Sequence, residues 1–284
     1  MYFISGASGQ LGQLVTQELS GKVNPKDVTL GSRHTGKLAG FAAKGFKTAN
    51  FDFDDAVGME KALNGHETLL LISGDGPTKE RIAQQLAAIA AAKAAGVKRI
   101  VYTSFTNPTS KSHFTFAKAH EATEAALKAS GLAYTSLRNN QYAENISGAV
   151  DYARQAGTLA LPGSAGKVAF ITRADIAKAA AAALAEKAPG NRIYEITGPK
   201  AYDLQEIAEL LAAKWNKPVA AAELPQEAFA GMLSGMGLPP FLVEALQGIR
   251  AAVGAGEFET VSNDFEKLTG TKAESYESYL KRAA

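Results

Sequence analysis

The chain has 284 residues, of which 46% are hydrophobic and 20% are charged, so it is long and apolar enough to bury a globular core. A net charge of +2 with no basic block argues against a nucleic-acid-binding protein. Because the chain has no cysteine, disulfides, thiolate zinc sites and cysteine nucleophiles are excluded.

The first predicted strand, at residues 2–5, runs directly into a glycine-rich turn and a helix. The spacing of Gly6, Gly9 and Gly12 suits a turn that a pyrophosphate approaches closely, at a helix N-terminus with free N–H groups and a positive dipole end. We therefore predict that a dinucleotide binds at this turn. The residues assigned to it are Gly6, Ala7, Ser8, Gly9, Gln10, Leu11 and Gly12.

The second predicted strand, at residues 28–31, is not followed by the Asp or Glu that usually contacts a free ribose 2′-hydroxyl. Arg33 stands there instead, with Lys37 close behind it. A guanidinium suits a 2′-phosphate by its charge and its bidentate geometry. We therefore predict NADP as the cofactor, with NADPH preferred over NADH.

Acidic residues follow the third predicted strand, at residues 46–50. Asp52 is placed to accept a hydrogen bond from the adenine amino group, with Phe53 against the ring. Asp54 is a rival for this role, or else it caps the helix that follows.

Three further strands are predicted at residues 68–72, 99–103 and 133–137, with a helix in the segment TKERIAQQLAAIAAAKAAG. Strands that alternate with helices predict an α/β fold with a parallel sheet covered on both faces. Ligands bind at the carboxyl ends of such strands. The residues expected along the ribose and nicotinamide are Ser73, Gly74, Thr103 and Ser104.

Aromatic and amide side chains at the same strand ends suggest an acceptor site. Phe105 and Tyr142 supply flat apolar faces, and Asn140 supplies a polar group, so these three residues are predicted to bind the substrate. Ser104 and Tyr142 are also candidates for catalysis. Two alternatives stay open: the amides of residues 139–141 satisfy backbone groups, and Tyr142 is only a packing residue.

The four histidines show no metal-ligand spacing, so we expect no metal site. We also expect no flavin. His120 stands three and four residues before Thr123 and Glu124 on a predicted helix. A His–Glu pair at that spacing is expected to stabilise the helix.

The pattern loosens after residue 140. VAFITRADIAKAAAAAL predicts a strand that leads into a helix, RIYEITG a strand, and DLQEIAELLAAKW a helix with Asp203 as its N-cap. Residues 223–262 are rich in Met, Gly and Pro and predict small helices joined by turns. We expect residues 1–140 to form the NADP-binding core. Residues 141–284 are expected to complete the sheet and form the substrate-side lobe of a single structural unit.

Segments along most of the chain resemble the NmrA-like branch of the atypical short-chain dehydrogenases, and within it the type 2 NAD(P)H:quinone oxidoreductases and triphenylmethane reductases. The resemblance implies an extended Rossmann fold, a doubly wound parallel sheet with helices on both faces and a small C-terminal α/β lobe. It implies hydride transfer from NADPH to a quinone or a similar conjugated acceptor, and as a rival a redox sensor without turnover. The segments that carry it, besides Arg33, are GASGQLG, AAKAAGVKRIVYTS, GLAYTSLRNNQYAEN, ITRADIAKAAAAAL, YEITGP and SNDFEKLTG.

The wider short-chain family uses a Tyr-x-x-x-Lys motif, in which the tyrosine donates a proton and the lysine binds the nicotinamide ribose. Here Phe114 and Lys118 occupy these positions. The resemblance thus argues against ketone chemistry through a phenol, whereas a quinone accepts hydride without a strong acid. Lys118 is left with three roles: ribose contact, catalytic acid of a ketone or imine reductase, or solvated helix residue.

The N-terminal residues MYFISGASG show no secretory signal, and no apolar run is long enough to span a bilayer. We therefore expect a cytoplasmic protein whose partner is a small molecule, not a nucleic acid or a membrane. The choice between a monomer and a homodimer stays open.

Overall fold

The computed structural model describes residues 1–186 and 190–283. The strands are β1 (Tyr2–Ile4), β2 (Val28–Ser32), β3 (Lys47–Asn50), β4 (Thr68–Leu71), β5 (Arg99–Phe105), β6 (Ala133–Asn139), β7 (Thr158–Leu161), β8 (Arg192–Ile196) and β9 (Ala220–Glu223). The helices are α1 (Gln10–Leu19), α2 (Ala39–Ala42), α3 (Ala56–Leu63), α4 (Thr78–Ala94), α5 (Ala117–Ser130), α6 (Ser147–Ala156), α7 (Arg173–Ala185), α8 (Leu204–Trp215), α9 (Gln226–Gly235), α10 (Pro240–Gly254), α11 (Asp264–Thr269) and α12 (Tyr276–Ala283). Within the described ranges, none of these helices combines the length and the apolar character needed to cross a bilayer.

Seven strands form one sheet in the order β3-β2-β1-β4-β5-β6-β8. The pairs β1–β2, β1–β4, β2–β3 and β4–β5 are all parallel. The strand order reverses between β1 and β4, and ligands of open α/β sheets bind at such a switch point. The topology therefore directs attention to the turns that follow β1 and β4.

Both faces of the sheet are covered. In β4, Leu69, Leu70 and Leu71 are all fully buried although neighbouring side chains point to opposite faces. On one face, Leu69 and Leu71 join a core cluster with Met59 of α3 and Ile89 of α4. The fold is thus the doubly wound α/β fold that the alternation of strands and helices predicts.

The chain forms two compact units, and each is assembled from separate stretches of sequence. The first unit consists of Met1–Phe105, Ala119–Arg138 and the described part of Ile176–Tyr194. The second consists of Thr106–Lys118, Asn139–Asp175 and the described residues from Glu195 onward. The expected division at residue 140 stays a prediction.

The six predicted strands of the first 140 residues are confirmed as β1 to β6, with ends that differ by at most two residues. RIYEITG is confirmed as β8, and the helix after Asp203 as α8 with a complete capping box between Asp203 and Glu206. Residues 223–262 contain two helices, α9 and α10, of 10 and 15 residues.

The prediction of a strand before α7 is wrong. In VAFIT, residues 168–172, Val168 and Ile171 form only isolated bridges. Val168 exchanges hydrogen bonds with Tyr202, and the N–H groups of Ala169 and Ile171 donate to Phe258 and Gln141. Because these bonds go to three different segments, no ladder forms.

The sequence analysis also missed the pair β7 and β9, which align in parallel from Thr158 and Ala220. Their sequences, TLAL and AAAE, are short and poor in the β-branched and aromatic residues that signal a strand. Only the pairing partner, 62 residues away along the chain, distinguishes them from loop or helix.

Candidate cofactor site

The glycine-rich turn between β1 and α1 requires glycine at two positions, Gly6 and Gly12. Gly6 has φ +60°, which side-chain-bearing residues rarely adopt. A Cβ on Gly12 would lie 2.4 Å from the Gly6 carbonyl oxygen and 2.7 Å from the Cα of Ala7. The N–H of Gly9 donates to the same carbonyl at 3.0 Å. This cradle fits a pyrophosphate, because only bare backbone lets the anion come near.

The N-terminus of α1 has no side-chain cap among the described residues, so its first N–H groups remain available to an anion. The turn in front of it is held by β2. Ala7 donates its N–H to the Gly31 carbonyl at 3.0 Å, and the hydroxyls of Ser8 and Ser32 lie 2.7 Å apart. Leu11 is buried, so it can serve a ligand only through its backbone.

Two cations follow β2. Arg33 and Lys37 are both exposed, and within the described ranges neither side chain has a hydrogen-bond or ion-pair partner. The backbone beside Arg33 is fixed by the hydroxyl of Ser32, which accepts the N–H of His34 at 2.9 Å. A fixed backbone that presents two exposed cations suits a phosphate group at this edge.

Phe53 and Gly74 lie side by side after β3 and β4. A Cβ on Gly74 would contact the Phe53 ring and the Gln84 side-chain oxygen, each at 3.8 Å. Asp52 is half-buried, and its carboxylate accepts the Asp54 N–H at 3.2 Å. The Asp52 carboxylate has lone pairs left to accept a further hydrogen bond, so the contact with the adenine amino group stays a prediction.

The hypothesis that Asp54 caps the helix after β3 is wrong. Asp55 immediately precedes α3, and its carboxylate accepts the N–H of Gly58 at 2.9 Å. Asp54 instead accepts a hydrogen bond from Gln84 at 2.9 Å. Three of the four residues 52–55 are acidic, so the sequence offers more than one possible cap, and only the start of α3 identifies Asp55.

The ends of β4 and β5 are joined by hydrogen bonds. The N–H of Ser73 donates to the hydroxyl of Thr103 at 2.9 Å. The Ser73 hydroxyl oxygen accepts from Arg81 at 2.7 Å and from Gln85 at 3.0 Å, both in α4. The predicted ribose and nicotinamide contacts Ser73 and Thr103 are therefore fixed relative to each other.

Ser104 bonds to a buried carboxylate. Its hydroxyl donates to Glu124 of α5 at 2.8 Å, and the guanidinium of Arg138 in β6 holds the same carboxylate at 2.7 and 3.0 Å. Glu124 is only 4% exposed. The single hydroxyl proton of Ser104 is thus committed to a protein group.

His120 and Glu124 do not pair along the helix, so the His–Glu hypothesis is wrong. Glu124 bonds Ser104 and Arg138, whereas the His120 ring bonds the hydroxyl of Tyr102 at 2.7 Å. Both side chains face β5, because the buried strand offers them hydrogen-bond partners that an exposed helix surface lacks. Burial, followed by the nearby charge of Arg81, holds the pKa of His120 well below its usual value, and burial raises that of Tyr102.

The second unit contains the remaining predicted residues except Phe105, which belongs to the first. Lys118 is exposed near the start of α5, and Phe114 is buried at 5% exposure. The Tyr142 ring is half-buried and faces the guanidinium of Arg173, 5.2 Å from the ring centre. That Phe105 and Tyr142 line one acceptor pocket stays a prediction.

The Asn140 side chain forms hydrogen bonds with backbone groups. It is fully buried, donates to the Phe258 carbonyl at 3.1 Å and accepts the Gln141 N–H at 2.7 Å. This is the structural alternative that the sequence left open for the amide run. A contact between Asn140 and a substrate remains untested.

Sequence reasoning missed four residues that organise the site: Arg81, Gln85, Tyr102 and Arg138. All but Arg138 are buried, and each bonds a residue of the predicted site or its neighbour. Arg81 and Gln85 stand four apart in α4, which puts them on one face of the helix. In the sequence, Arg81 and Gln85 share a helix face with apolar residues. That pattern was the available indication that these two polar side chains are buried.

Known proteins resemble this chain over nearly its full length. The NAD(P)H-binding family matches residues 6–187. Quinone oxidoreductase 2 of Escherichia coli strain K12 is 36% identical over 270 residues, which cover 95% of this chain and 94% of that protein.

Two solved structures share the fold and hold the cofactor. The NADPH complex of the E. coli quinone oxidoreductase QOR2 superposes with a TM-score of 0.93 at 34% identity, covering 99% of this chain and 98% of that one. The Citrobacter sp. triphenylmethane reductase with NADP(H) also gives 0.93, at 28% identity and coverage of 100% and 99%. The chain is therefore an NAD(P)H-dependent oxidoreductase of the NmrA-like, NAD(P)H-binding family.

Proposed function

We propose that this oxidoreductase uses NADPH to reduce quinones or similar conjugated acceptors by direct hydride transfer. The observation that carries the proposal is where the hydroxyl groups at the end of β5 donate their protons. Tyr102 donates to Gln85, Thr103 to the Leu71 carbonyl and Ser104 to Glu124, at 2.6, 3.5 and 2.8 Å.

A strand end whose hydroxyl protons are all directed to protein groups is poorly suited to protonate a ketone oxygen. Tyr102 does not replace the missing family tyrosine, because it is fully buried and burial raises its pKa. Phe114, at the family's tyrosine position, has no proton to give. These features favour an acceptor that needs no strong acid, and a quinone is one.

All the proposed cofactor contacts except Lys118 belong to the first unit. The glycine turn and the N-terminus of α1 would hold the pyrophosphate, Arg33 and Lys37 the 2′-phosphate, and Ser73, Gly74, Thr103 and Ser104 the ribose and nicotinamide. Bound NADPH supplies a hydride to the acceptor, and a solvent proton completes the hydroquinone. The protein's part is positioning and exclusion of water.

The acceptor is proposed to meet aromatic side chains. Phe105 and Tyr142 offer flat faces, and such walls with few polar groups suit a planar conjugated ring. The relatives named for quinone and triphenylmethane reduction act on acceptors of this class. Lys118, exposed in α5, is assigned to the nicotinamide ribose.

The test is a turnover measurement with purified protein, NADPH and a panel of quinones, triphenylmethane dyes, enones and simple ketones. Oxidation of NADPH is followed by the nicotinamide absorbance, and cofactor binding is measured separately by fluorescence titration. We expect turnover with quinones or dyes and none with simple ketones. Tight NADPH binding without turnover of any acceptor would instead support the redox-sensor hypothesis.

The variant Phe114→Tyr tests whether an acid is needed. Where proton donation limits a reaction, a general acid contributes about 10²–10⁴-fold. We expect quinone turnover by Phe114→Tyr to stay within a few-fold of the parent. A gain of a hundredfold would show that proton donation limits turnover and would overturn the hydride-only mechanism.

A further inference from the structure

A chain of buried hydrogen bonds in the first unit leads from Ser73 to His120. Gln85 bonds Ser73 at 3.0 Å through its nitrogen and Tyr102 at 2.6 Å through its oxygen, and Tyr102 bonds His120 Nδ1 at 2.7 Å. Tyr102, Gln85 and His120 are exposed by 0, 1 and 5%. The function proposed above gives none of these three residues a contact with the cofactor or the acceptor.

The direction of these bonds sets the tautomer of His120. The Gln85 oxygen can only accept, so the one hydroxyl proton of Tyr102 points to it. The Tyr102 oxygen is then left as the acceptor toward His120, which must carry its proton on Nδ1. The Nδ1–H···O bond fixes the plane of the imidazole ring.

His120 also supports Phe105. The two rings are stacked, with centroids 5.9 Å apart and planes inclined by 26°. The side chains with charge or titratable groups that bear on His120 are Arg81 in α4 and Tyr102 in β5. Burial and the Arg81 charge both lower the pKa of His120, so the ring supporting Phe105 is neutral.

We propose that His120 is a positioning residue, an Nδ1-protonated imidazole locked by Tyr102 and Gln85, which holds the ring of Phe105 in the orientation that the acceptor stacks on. The proposal rests on the proposed function in one respect, that Phe105 faces the acceptor. The lock itself involves only contacts within the first unit. Breaking the lock should therefore weaken acceptor binding and leave NADPH binding unchanged.

Two variants separate the parts of the lock. His120→Asn keeps a donor nitrogen near the position of Nδ1 but removes the ring beneath Phe105. His120→Phe keeps a ring but removes the donor. Thr123→Val is the matched control, because Thr123 also bonds Gln85, at 2.7 Å, yet touches neither His120 nitrogen nor Phe105 in any described contact.

An aromatic pair contributes a factor of about 2–12 to an equilibrium constant. This factor appears in the KM where the displaced Phe105 ring loses its stacking on the acceptor. We expect His120→Asn to raise the KM for the quinone by this amount, with kcat and the Kd for NADPH unchanged. His120→Phe should stay closer to the parent, and Thr123→Val should match it. A KM for His120→Asn equal to that of the parent, or an equal loss in the Thr123→Val control, would overturn the proposal.

The second measurement is independent of turnover. Nitrogen-15 NMR of the unmodified protein should show a protonated, pyrrole-like Nδ1 and an unprotonated Nε2 for His120, and the signature should change in Tyr102→Phe. An unprotonated Nδ1 in the parent would overturn the lock even if quinones are reduced. If no acceptor is reduced, the proposed function fails, while this spectrum still decides whether the lock exists.

Discussion

The guanidinium of Arg33 stands exposed at the end of β2, and the sequence places no carboxylate beside it. If it binds the 2′-phosphate of NADPH, Arg33→Ala should remove a charge-assisted contact of about 1.5–3 kcal/mol. The Kd for NADPH should rise accordingly, and the Kd for NADH should change little. Titration of both cofactors against both proteins measures this, and equal weakening of the two would assign Arg33 to the loop rather than to the phosphate.

Lys118 is the second residue whose role a single substitution decides. A contact with the nicotinamide ribose is the same in the ground state and the transition state, so its loss weakens binding without slowing the chemistry. We expect Lys118→Ala to raise the Kd for NADPH while turnover at saturating NADPH stays the same. The control is Lys128→Ala, an exposed lysine at the other end of α5. Collapse of turnover at unchanged affinity would make Lys118 an acid, and no change in either would make it a solvated residue.

At the scale of elements, the turn between β1 and α1 depends on Gly12. Because a Cβ there would lie 2.4 Å from the Gly6 carbonyl, Gly12→Ala must displace backbone, at a cost of about 1–3 kcal/mol for overpacking. We expect both a lower free energy of unfolding and weaker NADPH binding. The control is Gly40→Ala in α2, where the added Cβ would have no neighbouring atom within 4 Å outside its own helix. Gly12→Ala with the parent's affinity for NADPH would contradict the assignment of the cradle.

Sequence patterns are sufficient to predict some of the strands and helices but not others. β1, β2, β4, β5 and β6 are short, largely apolar runs between turn residues, whereas β3 is the exposed edge strand KTAN. The glycine spacing predicted the cradle after β1. Patterns failed where the partner lies far along the chain. The strand β7 exists because β9 pairs with it, and residues 168–172 form no strand because three segments share their hydrogen bonds. The bond from His120 to Tyr102 likewise depends on packing across two elements, which helical spacing cannot predict.

The N-terminus of α8 predicts a pH dependence of stability. Hydrogen bonds from Lys167 and then Lys200, with Nζ–carboxylate distances of 3.0 Å, lower the pKa of Glu206 from 4.5 to about 2. Because the folded pKa lies below the unfolded one, this stabilisation is present above about pH 4.5 and is lost as the pH falls toward 2. The difference in unfolding free energy between the parent and Glu206→Gln should therefore shrink between about pH 5 and pH 2. A constant difference would show that the ion pairs contribute nothing.

At the scale of the molecule, neither unit is a continuous piece of chain. The first unit ends with Ile176–Tyr194, which contributes most of α7 and part of β8. β8 is the neighbour of β6 in the sheet, and α7 carries fully buried residues such as Ile176, Ala177 and Ala180. The predicted cofactor residues of the first unit thus precede, along the chain, the elements that complete the core of that unit.

We therefore expect residues 1–140, expressed alone, to lack a stable fold although they contain every predicted cofactor residue. Without α7 and β8, β6 becomes an open edge and the apolar surface beneath the helix is exposed to water. Thermal unfolding followed by circular dichroism should show no cooperative transition for this segment and one for the full chain. The control joins residues 173–198 to the segment through a flexible linker, and we expect it to regain a transition that NADPH shifts upward, because NADPH binds only the folded state. A cooperative, NADPH-sensitive transition of residues 1–140 alone would show instead that the sheet is complete at β6.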